Sequence, residues 1–237
     1  MVNLLIPLIL TFILSIFHYF FESYVKHFKK YDVSFTSFSS GLFITYIFIS
    51  LFPEVVKGSV HHADRIYLYM LLGFVFLHVI EKYVSRHALT KYKRARDLRE
   101  IRTATFIINL FVIGAAMITF AKIGDTSLLF LTFIPALFHV VSSSLLVEHL
   151  HKSVREHNFF KILCSGAIFF GAVAGFFFVF SLAVYYFLIA FMAGTLLYLI
   201  TRDVLPKYRL SNSFLFILGI ITYILIVEIS KYLFIIY

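Results

Sequence analysis

Of 237 residues, 61% are hydrophobic and 14% charged, and the formal net charge is +9. The charges cluster between long apolar runs, which excludes a soluble domain: 31 phenylalanines cannot share one water-soluble core without polar helix faces around them. The basic excess does not point to nucleic acid, because Lys and Arg flank the ends of apolar runs, where orientation signals belong, and the single cysteine, Cys164, excludes a disulfide framework.

A run of about 20 apolar residues crosses the hydrocarbon layer as a helix. In lipid such a helix satisfies its own backbone hydrogen bonds, so an all-α polytopic membrane protein is expected. Eight transmembrane helices are predicted. The first three run over 3–24, 36–55 and 65–84, and a basic loop at 85–102 follows them. The fourth and fifth are 103–121 and 128–147, a central helix pair within 103–151. The stretch 159–201 is uncharged beyond Lys161 and long enough for two spans, with a turn near Phe180-Ser181. The eighth is 212–232. The first run lacks a basic n-region and a small-residue cleavage site, so it reads as a retained span rather than a signal peptide.

Orientation follows from the basic residues. With the N-terminus outside, every Lys and Arg except Lys57, Arg65, Lys122 and Lys231 falls in a cytoplasmic connection. The positive-inside rule then places both termini outside a cell membrane crossed eight times.

The chain also repeats itself. Gly41 precedes Pro53 by twelve residues in an apolar stretch ending Leu-Phe-Pro, and Gly194 precedes Pro206 by the same interval in one ending Val-Leu-Pro. Downstream, Leu-Leu-Gly73 leads to Glu81, as Ile-Leu-Gly219 leads to Glu228. The first copy runs outward and the second inward. The whole chain, 1–237, is therefore one transmembrane domain, with inverted repeats over 1–90 and 159–237. In inverted-repeat transporters the substrate site lies near the midplane between the repeats.

This layout resembles the ZIP family of metal-ion transporters. The resemblance rests on Ser40-Gly41-Leu-Phe through Ser50-Leu-Phe-Pro53-Glu54, and on Ala190-Phe-Met-Ala-Gly194-Thr-Leu-Leu-Tyr198 through Asp203-Val-Leu-Pro206. It implies a 3+2+3 architecture and a permease for a divalent metal such as zinc, carried as substrate rather than held as a cofactor. The path would lie between spans two, four, five and seven. It places metal ligands on spans four and five, where this chain has Asn109 and His139, with Ser142 and Ser143 following His139. Ile108, Val112 and Val140 stand where the family has further ligands, so most of the usual set is lost.

Other residues join the candidate list. Ser50, Glu54 and Asp203 would border the substrate pathway, and Gly41, Pro53, Gly194 and Pro206 would serve packing and hinge roles. The alternatives are plain ones: His139, Asn109 and the serines as interhelical glue, the glutamates as interfacial groups, and His61, His62, His149, His151 and His157 as solvated loop residues. The basic run 91–102 is expected to face anionic lipid headgroups. A small cation and a second copy of the chain, as a homodimer, complete the expected partners. No nucleophile elbow or His-Glu-x-x-His pair is present, and an enzyme is not expected. Two readings stand: a ZIP-like permease, and a non-transporting membrane protein that uses the same scaffold for interaction or regulation.

Overall fold

The computed structural model describes residues 4–28, 31–87, 90–148, 158–178, 181–203 and 212–234. Helices occupy all the predicted stretches: α1 (Leu5–Phe28), α2 (Asp32–Tyr46), a π-helical turn (Ile47–Leu51), α3 (Phe52–Lys57), α4 (Ser59–His62), α5 (Arg65–His87), α6 (Lys91–Lys122), α7 (Thr126–Glu148), α8 (Asn158–Phe177), α9 (Leu182–Asp203) and α10 (Ser213–Phe234). Five stretches are long and apolar enough to cross a membrane: Val33–His62, Arg65–His87, Arg96–Lys122, Leu182–Arg202 and Ser213–Leu233. Shorter apolar helices at Leu5–Phe21, Thr126–Val141 and Lys161–Phe177 complete the bundle. The chain is built as a membrane protein.

Two elements differ from expectation. The basic stretch 85–102 is mostly helix, because α5 runs on to His87 and α6 already begins at Lys91. Thr90 caps α6, its hydroxyl oxygen accepting from the Lys93 amide at 3.1 Å. The Lys, Arg, Leu, Glu and Ala residues that follow are strong helix formers. At 1.5 Å per residue the 32-residue α6 is about 48 Å long, well beyond the ~30 Å hydrocarbon layer. Its basic first turns therefore extend the span as a helical post. The second departure is the broken course of span two. Pro53 has no amide hydrogen, and its ring crowds the carbonyl four residues back, that of Ile49. The chain answers with the π turn Ile47–Leu51, which widens the helix at that carbonyl before α3 resumes.

The longest contacts join α6 to α8, α5 to α9 and α2 to α10. Each is made by glycines facing backbone across the pair. A Cβ on Gly41 would stand 2.0 Å from the Phe216 carbonyl oxygen, and one on Gly219 would stand 2.1 Å from that of Phe38. The α5–α9 pair repeats the arrangement, with Gly73 at 2.2 Å from the Phe191 oxygen and Gly194 at 1.9 Å from the Met70 oxygen. Gly114 and Gly171 do the same between α6 and α8. Bundles in lipid associate by such close approach. The core between these pairs is filled by Leu42, Tyr46, Leu51, Leu110, Phe120, Ile189 and Tyr223. Leu68, Leu71 and Leu72 of α5, and Ile217, Ile221 and Leu225 of α10, face outward.

Gly194→Ala should therefore force α5 and α9 apart and lower stability in detergent by about 1–3 kcal/mol, the cost of overpacking. Gly166→Ala, whose new methyl meets only the end of the Phe170 ring, should shift the melting temperature far less. Equal shifts would show that the glycine contact does not hold the pair.

Candidate functional site

The polar interior begins at the two proline breaks. Pro135 lies inside α7, so the carbonyl of Leu131, four residues back, loses its helical donor. The Tyr223 hydroxyl of α10 takes that place at 3.2 Å. The same hydroxyl lies 2.7 Å from Ser50 Oγ, in the π turn next to Pro53. One turn earlier, the Tyr46 hydroxyl donates to Thr132 Oγ1 at 3.2 Å. All five residues are buried. Two helix breaks, in α2 and α7, are thus joined and satisfied through one tyrosine.

Two buried carboxylates lie against α9. Glu54 is 2% exposed; its Oε1 accepts from the Tyr185 hydroxyl at 3.1 Å, and its Oε2 pairs with Lys57 Nζ at 2.8 Å. Glu81 of α5 accepts from the Tyr198 hydroxyl at 3.0 Å and from the Arg202 guanidinium. Tyr185 and Tyr198 are thirteen residues apart on one helix, about 20 Å along its axis, so the two carboxylates mark different levels of the bundle.

Asn109 and His139 lie within the core, 2% and 8% exposed. Asn109 Oδ1 lies 2.8 Å from Thr195 Oγ1 on α9, and the same hydroxyl lies 2.8 Å from the Met192 carbonyl. One hydroxyl proton cannot serve both acceptors. If it goes to Met192, the amide must be turned so that Nδ2 donates to Thr195 and Oδ1 is left over. In the orientation observed, Nδ2 is the atom without a hydrogen-bond partner among the described residues. His139 packs edge-on against Phe43 of α2 and tilted against Phe106 of α6, each with ring centroids 5.3 Å apart. Phe106 in turn meets the buried His18 of α1 at 5.5 Å. Asn109 is thus turned to α9, with its hydrogen bond to Thr195, and His139 of α7 lies between Phe43 and Phe106, the latter one turn before Asn109 on α6.

The predicted residues divide accordingly. Ser50 and Glu54 are buried and hydrogen-bonded into the bundle, and Pro53, Gly41 and Gly194 shape its backbone. The side chains of Ser142, Ser143 and Asp203, and all of Pro206, His149, His151 and His157, lie outside the described residues. His61 and His62 are helical rather than loop residues: His62 Nε2 donates to the Ala183 carbonyl at 2.7 Å, and His61 stacks on Tyr186 at 5.2 Å, docking α4 onto α9. Glu228 pairs with Lys231 at an exposed edge. The residues missed by sequence reasoning are the hydroxyl donors Tyr185, Tyr198, Thr195 and Tyr223, and the buried His18. Their one signal was a polar atom in an apolar run, which a chain with 15 tyrosines gives too often to be selective.

Among the described residues no three His, Cys, Asp or Glu side chains gather as a metal-binding group. Comparison with protein-family models and with curated proteins finds no match. The arrangement therefore speaks through its own chemistry: neutral hydroxyl and amide groups at the centre, and compensated carboxylates toward the ends.

Tyr223→Phe removes the one donor to Leu131 and the partner of Ser50. It should cost about 0.6–1.7 kcal/mol, the range of single interhelical bonds in membranes, read as a fall in melting temperature in detergent. Tyr232→Phe, at an exposed position of the same helix, should be silent.

Proposed function

We propose that the chain is a ZIP-like permease of eight spans in 3+2+3 order, with both termini outside, passing a small metal cation between the span of α2 and α3 and helices α6, α7 and α9. The observation that carries this reading is Asn109. A buried amide with an unused polar atom is costly inside a membrane bundle; as observed its Nδ2 is placed to donate to the water of a passing ion, and turned over its Oδ1 would meet the ion itself. The pairing of α2 with α10 and of α5 with α9 through reciprocal glycines supports the repeat, since exchanging the first three spans with the last three maps one pair onto the other.

With an amide, a hydroxyl and an imidazole at Asn109, Thr195 and His139, the cation keeps part of its hydration, because none of these supplies the anionic ligands that full dehydration requires. Glu54 would attract the ion near one end of the path. The basic post of α6 would lie against anionic headgroups at about 1 kcal/mol per charge, and a homodimer is compatible with the outward apolar faces.

The scaffold reading is favoured by a different observation. Leu110, Ile113, Val140, Ile189 and Ala193 are buried and packed in one cluster at the same place. The rings of Phe111, Phe138 and Phe191 are not all part of it. Phe111 is 40% exposed, while Phe138 packs on Phe35 and Phe38, and Phe191 on Phe76 and Phe187.

Uptake of zinc, manganese and iron into proteoliposomes decides between the two. The permease should load at least one of them above empty liposomes, and Asn109→Leu or His139→Ala should reduce the rate by about tenfold or more, equivalent to ~1.4 kcal/mol. No uptake of any of the three by folded protein would select the scaffold reading.

A further inference from the structure

Two helix pairs are locked along their lengths and meet at one polar joint. The pair α5–α9 is closed by Gly73 and Gly194 and by the clasp of Glu81 with Tyr198 and Arg202. The pair α2–α10 is closed by Gly41 and Gly219 and by the Ser50–Tyr223 bond. Beyond the π turn, α3 leaves the second pair and reaches the first, placing Glu54 on Tyr185 at 3.1 Å. The short α4 follows it and rests on the same end of α9 through His62 and the Ala183 carbonyl.

The two carboxylates differ in what holds their charge. Glu81 is answered by Arg202 across the α5–α9 interface, and both side chains are nearly buried, 11% and 14% exposed. Parting them would strand a charge in a low-dielectric interior. Glu54 is answered by Lys57, three residues along its own chain, whose side chain is 59% exposed. When Tyr185 leaves Glu54, the ion pair goes with Glu54 and no charge is left alone. Separation there loses the hydrogen bonds of Tyr185 to Glu54 and of His62 to Ala183, with the His61–Tyr186 stack, but breaks no salt bridge among the described residues, whereas separation at Glu81 does.

We propose that the Glu54–Tyr185 contact is a gate: the α5–α9 pair moves as one body, and the bundle opens between α3–α4 and the start of α9. The gate rests on the permease reading, since it presupposes a path behind it. Ile189, one turn deeper on α9 and 0% exposed, reports the opening.

The test is the rate at which a polar maleimide labels Ile189→Cys in the full chain carrying Cys164→Ser, purified in detergent without added metal. Tyr185→Phe keeps the ring and removes the donor, and should speed labelling about fivefold, the change that ~1 kcal/mol makes in an opening equilibrium. Tyr198→Phe removes the same kind of donor from Glu81, which keeps Arg202, and should label no faster than the parent. This sign separates a gate from a loosened bundle, in which both variants label faster. Ile189→Cys labelling that is unmoved by Tyr185→Phe, or raised equally by Tyr198→Phe, overturns the proposal. Zinc, manganese and iron uptake by the parent chain is read separately. Uptake with unmoved labelling overturns the gate alone; faster labelling of Tyr185→Phe in a chain that carries none of the metals supports the opening and overturns the permease reading.

Discussion

Close backbone approach through glycine is the constraint on which the rest of the structure depends. Lipid tails are as apolar as leucine, so burying leucine between two helices gains little over leaving it in the bilayer. What binds helices there is dispersion at short range, and the reciprocal pairs Gly41/Gly219 and Gly73/Gly194 let carbonyl oxygens of the partner helix approach to where a Cβ would otherwise stand. Once the pairs α2–α10 and α5–α9 are fixed, the polar side chains have no freedom of partner. Ser50 must meet Tyr223, and Glu81 must meet Tyr198 and Arg202, because the glycine contacts set rotation and register along each pair.

The prolines then create obligations that the hydroxyls discharge. Pro135 leaves the Leu131 carbonyl without its helical donor, and a bare carbonyl in the bundle interior is costly. Tyr223 supplies a donor from another helix, which ties the break in α7 to the break in α2. A proline break would ordinarily be a point of weakness. Here each break is held by a side chain from elsewhere in the fold, so it can bend only together with its neighbours.

Much of this was legible in the sequence, for identifiable reasons. The apolar runs gave the helices their places because the hydrocarbon thickness sets their length, and the division into α8 and α9 could be found because no single span is forty residues long, although residue 180 of the expected turn lies outside the described residues. Gly41 and Gly194 were noticed through their repeat, although only the structure shows that they face carbonyls of α10 and α5. The stretch 91–102 was misjudged as a loop because charge was allowed to outweigh the helix-forming strength of its residues. Asn109 was singled out with His139 only as a ligand position that the resemblance implies. Its bond runs to Thr195, and no local pattern encodes which way one amide turns on a helix that is apolar on every side. Tyr185 and Tyr198 were missed for a related reason: a tyrosine resembles any other aromatic until a carboxylate on another helix gives its hydroxyl a purpose.

The treatment of charge says most about what such a bundle can do. A buried carboxylate needs either a counter-charge or a proton, and both carboxylates that lie against α9 have the former. They differ in where the counter-charge is anchored. Arg202 belongs to the opposite helix, so the Glu81 clasp binds two helices and resists their separation. Lys57 belongs to Glu54's own segment, so that pair is self-contained, and the phenol hydroxyl of Tyr185 links it across the bundle. An ion pair within one segment can be carried through a movement, while an ion pair between segments forbids it. The distribution of the two kinds along α9 thus makes one level of the bundle a fixed joint and another a separable one. Thr195 lies between them on α9, nearer the fixed joint than the separable one, and bonds there to Asn109 of α6, a buried polar group with an unused atom.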